Sequence, residues 1–157
     1  MPTDNETFKT TRELLELAES LHRKLKSHYQ RQPSSPADED AKMLLDYIRA
    51  SEKHFTAMLA SYRRQAPRDL LDTFYQFTPE ELKILDETAA WQPDAASGAS
   101  EVIAVALAFD DCMQAFYQRA SEMAPSQAIR DMFASLADAM AAKKRDEALN
   151  ASQVQDM

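Results

Sequence analysis

Two charged residues stand in otherwise apolar helical stripes, and their chemistry needs an explanation. The members of the first stripe are spaced three or four positions apart, so they lie on one face of an α-helix. They are Ile103, Ala106, Asp110, Met113, Tyr117 and Ala120. The second stripe holds Ile129, Phe133, Leu136, Met140 and Lys143. Because an unpaired buried charge is costly, we predict that Asp110 and Lys143 both face inward, within ion-pair reach. They form either a structural ion pair or an acid–base pair.

Two histidines on the first two predicted helices are further candidates for chemistry. His22 and His54 are interpreted first as core histidines that hydrogen-bond to Asp110 or to Ser51 and Glu52. The alternative is a site for one Zn or Fe ion with His22, His54 and Asp110 as ligands, since two imidazoles and one carboxylate make an open metal site. The lone Cys112 is interpreted as a small half-buried residue and not as a nucleophile.

The elements that position these residues are predicted to be helices throughout one domain, 1–157. A single glycine and an abundance of Ala, Leu, Glu, Lys, Gln, Arg and Met favour an all-α fold. We predict a first hairpin over 6–65 and a second over 100–150, with Pro67 ending the second helix. A long crossover, 66–99, contains a short extra helix from Thr78 to about Trp91, and 151–157 is a polar tail.

The two predicted hairpins resemble each other, which indicates an internal repeat. A shift of 88 residues places His22 on Asp110 and Tyr29-Gln30-Arg31 on Tyr117-Gln118-Arg119. A shift of 89 residues in the second helix places Ser51 on Met140 and His54 on Lys143. Two similar hairpins joined by a long crossover predict an antiparallel four-helix bundle.

The stripe of the third helix, Ala106-x-x-x-Asp110-x-x-Met113-x-x-Phe116-Tyr117-x-x-Ala120, followed by Phe133-x-x-Leu136-Ala137, resembles the ferritin-like superfamily and its rubrerythrin-type members. The resemblance covers about 10–64 and 100–148. It implies a di-iron or di-manganese centre held by one Glu from each of two helices and a Glu-x-x-His from each of the other two. The positions that it matches to these ligands are His22, Ser51, His54, Asp110, Met140 and Lys143.

This set departs from the family's ligands, because a thioether at Met140 and a cation at Lys143 disfavour a hard, oxygen-ligated metal. We therefore predict a core polar cluster at former metal positions, with no metal or other cofactor and no catalytic residue. A reduced mononuclear Zn or Fe site stays open as the alternative. Whether the chain is an enzyme is left undecided, and the substitutions favour a non-catalytic protein.

The composition also bears on partners. The formal net charge of −8 argues against nucleic acid as a ligand, because phosphate binding needs a basic surface. No apolar run approaches membrane-spanning length, the N-terminus has no apolar signal region and Cys112 has no internal partner, so we expect a cytoplasmic protein that does not bind membranes.

Aromatic residues are concentrated in the predicted crossover: Phe74, Tyr75, Phe77 and Trp91. They either cap the bundle or form an interface, since exposed aromatic patches mark binding surfaces. The sequence therefore predicts a ferritin-like helical-bundle protein that acts through self-association, as a homodimer, or through a protein partner.

Overall fold

The protein is mostly helical in a computed structural model, which describes residues 8–30, 39–76 and 99–155. In chain order the elements are β1 (Phe8–Thr10), α1 (Thr11–Gln30), α2 (Glu39–Gln65), α3 (Arg68–Leu71), β2 (Phe74–Gln76), α4 (Ala99–Glu122) and α5 (Gln127–Gln155). The class is the all-α one that the composition predicts. None of the helices in the described ranges is long and apolar enough to cross a membrane.

Helices α1 and α2 form one antiparallel pair, and α4 and α5 form another. In the first pair Glu19 near the middle of α1 contacts Arg63 near the end of α2, while His22, further along α1, contacts the earlier Glu52. The second pair is antiparallel as well, because Asp110 contacts Lys143, while Ser121, later on α4, contacts Arg130, earlier on α5. Helix α2 also packs against α4 and α5, so the two pairs share one core.

Large aromatic side chains fill the middle of this core. The rings of Phe55 and Tyr117 stack with centroids 5.9 Å apart, and Tyr117 stacks on Phe133 at 6.4 Å. Phe116 and Phe109 are fully buried beside them. These contacts join α2, α4 and α5 around Tyr117. The stripe of residues 103 to 120 predicts that Tyr117 faces inward, and Tyr117 is buried.

The first helix begins later than the sequence pattern predicts, at Thr11 instead of residue 6. Thr10 and Glu13 form a capping box, in which the Glu13 amide donates to the Thr10 hydroxyl at 3.1 Å and the Glu13 carboxylate accepts from the Thr10 amide at 3.0 Å. Residues 8–10 pair antiparallel with 74–76. Residues 8–10 are therefore a strand, and the predicted start of the helix at residue 6 was wrong.

The other boundaries agree with the sequence to within a few residues, with two exceptions. Helix α5 continues to Gln155, so most of the predicted polar tail, 151–157, is helical. The start of the predicted crossover folds into α3 and β2. The extra helix predicted from Thr78 to Trp91 lies outside the described residues.

Candidate functional site

Five ionisable side chains from all four long helices meet in the core. They are His22 from α1, Glu52 from α2, Asp110 from α4, and Lys143 and Glu147 from α5. None of the five is more than 7% exposed. We call this set the core cluster. An apolar interior does not tolerate such groups singly, so their mutual contacts determine what the cluster can do.

The ammonium group of Lys143 is at the centre of the core cluster. Its Nζ lies 2.6 Å from Asp110 Oδ1, 2.7 Å from Glu147 Oε1 and 2.9 Å from Glu52 Oε1. An ammonium group has three N–H donors and no acceptor. Each donor therefore has one carboxyl group within reach, and these groups come from three different helices.

His22 extends the core cluster toward the aromatic core. Its Nδ1 hydrogen-bonds to Glu52 Oε2, and the Tyr117 hydroxyl lies 3.3 Å from its Nε2. The ring stacks on Phe55, with centroids 4.6 Å apart, and meets the edge of Phe109. Both nitrogens of the buried imidazole thus have partners, as a core histidine requires.

Glu52 is held in its charged form. Burial alone would raise its pKa, but the neighbouring imidazole of His22 and the ammonium of Lys143 outweigh burial. Together with the hydrogen bonds from both groups they lower the pKa of Glu52 to about 2. Burial likewise opposes the charge of Lys143, and the three surrounding carboxyl groups raise the pKa of its ammonium above the usual range.

Glu147 is held in its neutral form. Burial raises its pKa far above that of an ordinary glutamate, and a hydrogen bond to Asp110 adds to the rise. Asp110 Oδ2 and Glu147 Oε2 are buried oxygens with no donor when both groups are ionised. A proton on Glu147 satisfies both, because the acid then donates to the Asp110 carboxylate. At neutral pH the core cluster therefore contains a carboxylic acid, Glu147, close to the ionised Glu52.

The predicted ion pair between Asp110 and Lys143 is confirmed, and His22 and Met140 are buried as expected. The prediction for α2 was wrong by one residue. His54 is exposed and Ser51 is half-buried, whereas Glu52 between them is fully buried. Each residue turns a helix by about 100°, so the helix rotation that buries Glu52 leaves His54 outside the core. His54 therefore cannot join His22 and Asp110 as a ligand of one metal ion.

The buried positions of the two helix pairs are related by one offset in residue number. The shift of 88 residues that relates α1 to α4 also relates Ile48, Glu52, Phe55 and Leu59 of α2 to Leu136, Met140, Lys143 and Glu147 of α5, all of them buried. The shift of 89 residues inferred from the sequence for α2 was wrong. With the corrected offset, Glu52 and Phe55 occupy the positions that the sequence analysis assigned to Ser51 and His54.

Glu147 was missed altogether, although a signal for it exists. It follows Lys143 by four residues and so extends the predicted stripe by one turn of α5. An acid at that spacing from a buried lysine is a natural partner for it.

The core cluster fits a metal poorly in its present form. Carboxylate oxygens of Glu52, Asp110 and Glu147 lie within 4.8 Å of one another, a grouping that suits a cation. The ammonium of Lys143 already contacts all three, and the two charges would repel. The residues present therefore do not fit the di-metal centre that the ferritin-like resemblance implies.

The predicted interface residues are described only in part. Phe74, in β2, is 64% exposed among the described residues. Tyr75 is its neighbour in β2, and Phe77 and Trp91 lie outside the described residues. Cys112 is half-buried, and burial followed by the charge of Asp111 raises the pKa of its thiol, which disfavours the nucleophilic thiolate.

Comparisons of this chain with models of protein families, with curated proteins and with solved structures find no match. The geometry of the core cluster is therefore the basis for an inference about function.

Proposed function

We propose that this chain is a helical-bundle protein without enzymatic turnover, of ferritin-like ancestry, in which the Lys143 ammonium has replaced the metal, and that it acts through association with a second copy. The observation that carries the proposal is the position of Lys143 Nζ, 2.6 to 2.9 Å from three carboxyl groups on three helices. In ferritin-like metal proteins carboxylates converge from the bundle helices in the same way around a cation.

The arrangement of the helices supports the ancestry. Two antiparallel pairs, related by one offset of 88 residues, bring a polar group from each long helix to the middle of one core. The corrected offset assigns Glu52 to a position where the family has a Glu. Asp110 is a carboxylate at another. The remaining positions carry groups that fill the space or supply a fixed charge: His22, Phe55, Met140 and Lys143.

The burial of the core cluster supports a structural role over catalysis. A catalytic group must touch a substrate, and the members of this cluster are at most 7% exposed. The perturbed pKa values of Glu52 and Glu147 result from burial and from the groups around each of them. These groups are His22 and Lys143 for Glu52, and Asp110 and Lys143 for Glu147. Ion-pair networks in protein interiors produce such shifts without any catalytic function.

The alternative, a reduced mononuclear metal site, loses its ligand set because His54 is exposed. A variant tests whether Lys143 stands in the place of a cation. In Lys143→Ala, Glu52, Asp110 and Glu147 would surround an empty space, and we expect the variant to bind one Mn²⁺ ion and to gain thermal stability from it. The wild-type protein should show neither effect under the same conditions.

Lys144→Ala is the matched control, because Lys144 is the next residue and pairs with the solvated Asp111 at the surface. This control should bind no Mn²⁺. Wild-type protein that is purified with two equivalents of iron or manganese in its core would contradict the proposal. So would a folded Lys143→Ala variant that is indifferent to Mn²⁺.

A further inference from the structure

Lys143, Asp110 and Glu147 bring together an amine, a carboxyl group and a protonated acid in the buried core. Nζ of Lys143 lies 2.6 Å from Asp110 Oδ1 and 2.7 Å from Glu147 Oε1. The amine and the Asp110 carboxyl are the two halves of an amide, and they come from neighbouring helices, α4 and α5. Glu147 hydrogen-bonds to both reactants.

From this geometry we propose that Lys143 and Asp110 join spontaneously in an amide bond between Nζ and Cγ, with Glu147 as the proton relay, so that α4 and α5 become covalently cross-linked. The modification needs no other reactant. It does not rest on the ancestry or the association proposed above, and it concerns what becomes of the Lys143 ammonium after the protein has folded.

The atoms of the reaction balance as ammonium plus carboxylate giving amide plus water. One proton passes from Nζ to Asp110 along their hydrogen bond, which makes a neutral amine and a carboxylic acid. The nitrogen lone pair then attacks Cγ. Glu147 gives its proton to the departing Asp110 oxygen, which leaves as water, and takes a proton from the nitrogen. The Nζ–Cγ bond forms, a C–O bond breaks, and Glu147 ends as it began.

Two physical effects favour this reaction in the core. The partners are fixed side by side, and well-oriented intramolecular reactions reach effective molarities of roughly 10⁵–10⁸ M. Burial also favours the product, because a buried ion pair carries a desolvation cost that a neutral amide largely avoids. The protonation of Glu147 supplies an acid at the atom where the leaving oxygen needs one.

The carboxyl groups around Lys143 raise the pKa of its ammonium, which opposes the first step and makes the reaction slow, and the largest of these effects comes from Glu52. Its carboxylate lies 2.9 Å from Nζ and stabilises the ammonium form, from which a proton must first be removed. We therefore expect the cross-link to form after folding and to accumulate with time.

The protein contains its own comparison pair. Lys144 and Asp111 are the next residues on α5 and α4 and also form an ion pair, but their side chains are 38% and 57% exposed. Water solvates both charges there, and no third acid is placed beside them in the described contacts. An amide between Lys144 and Asp111 is therefore not expected.

The decisive measurement is the mass of the denatured wild-type protein, followed over several days at physiological temperature. We expect it to fall by the mass of one water. Trypsin should then fail to cut after Lys143, and tandem mass spectrometry should find the fragment containing Asp110 joined to the fragment containing Lys143. A wild-type mass that stays equal to that of the sequence overturns the proposal, as does a cross-link at Lys144 or between Lys143 and another acid.

Three variants test the assigned roles. Lys143→Arg and Asp110→Ala should each keep the full mass. Asp110→Asn should lose ammonia in place of water, because the same carbon is attacked and the leaving group differs. Glu147→Gln should form the cross-link at least about 100-fold more slowly, since general acid–base catalysis typically contributes 10²–10⁴-fold. An unchanged rate in Glu147→Gln would remove the relay from the proposal.

Discussion

Glu52 is the member of the core cluster that contacts both His22 and Lys143. Its pKa falls from an ordinary 4.5 to about 2 on folding. One pKa unit corresponds to about 1.4 kcal/mol, so the ionised form contributes on the order of 3 kcal/mol to the free energy of unfolding. We expect Glu52→Gln to lower that free energy by a comparable amount at neutral pH, measured by urea denaturation of freshly prepared protein.

The pH dependence of this difference has a definite sign. Because the folded pKa is the lower one, the stabilisation is complete above about pH 4.5 and is lost as the pH falls through about pH 2. The free energies of wild type and Glu52→Gln should therefore approach each other in that window. Glu122→Gln, which alters an exposed glutamate on α4, is the control and should show little difference at any pH. A wild-type advantage that stays constant down to about pH 2 would contradict the assignment.

Single residues also show where sequence reasoning succeeds and where it fails. The inward direction of Asp110 and Lys143 could be predicted, because each is the lone charge among the apolar residues of a long stripe that must face the core. Residues 51–54 of α2 are four polar side chains in a row, so the period alone does not say which of them faces inward. Packing of Ile48, Phe55 and Leu59 decides for Glu52, and that packing depends on the other helices.

At the scale of the elements, the start of α1 depends on a few local hydrogen bonds. Thr10 and Glu13 satisfy each other's backbone amides at a helix end where those donors have no partner within the helix. We expect Thr10→Ala to lower the free energy of unfolding by about 1 kcal/mol. Ser20→Ala, at an exposed position in the middle of α1, is the control and should be neutral or slightly stabilising. Equal effects of the two changes in urea denaturation would argue against the cap.

For the elements, too, the sequence predicts the features that depend on nearby residues and misses those that depend on distant ones. Helix α2 ends at Gln65, just before Pro67, and α4 follows its stripe closely, because both features are encoded nearby in the chain. The pairing of β1 with β2 is different. Its partners are more than 60 residues apart, and neither three-residue strand is long enough to show an alternating pattern. The Thr11 amide also donates to Thr73 at 3.0 Å, a contact that no local pattern announces.

At the scale of the whole molecule, the repeat explains why four helices could be expected from sequence. Among the described residues, the 88-residue offset relates most buried positions of α1 and α2 to buried positions of α4 and α5, even where the residue differs, as between His22 and Asp110. Charged side chains at the centre of such a core must be matched, because an unpaired buried charge is costly. The core cluster meets that condition through Lys143, which contacts Glu52, Asp110 and the neutral Glu147.

The assembly of the molecule is the largest-scale property that the proposal concerns. Phe74 is 64% exposed among the described residues, and Tyr75 and Phe77 follow it closely in the sequence. Exposed aromatic patches are typical of association sites. A two-fold dimer uses the same patch on both subunits and closes without further growth. We expect the wild-type protein to be a dimer by light scattering and Phe74→Asp to be a monomer, because the change places a charge against its own copy.

Leu149→Asp is the control. Leu149 is 62% exposed, but it lies on α5 and not in the β2 segment, so its replacement should leave the dimer intact. A monomeric wild type at high protein concentration would refute self-association, and a dimer disrupted only by Leu149→Asp would move the interface to α5.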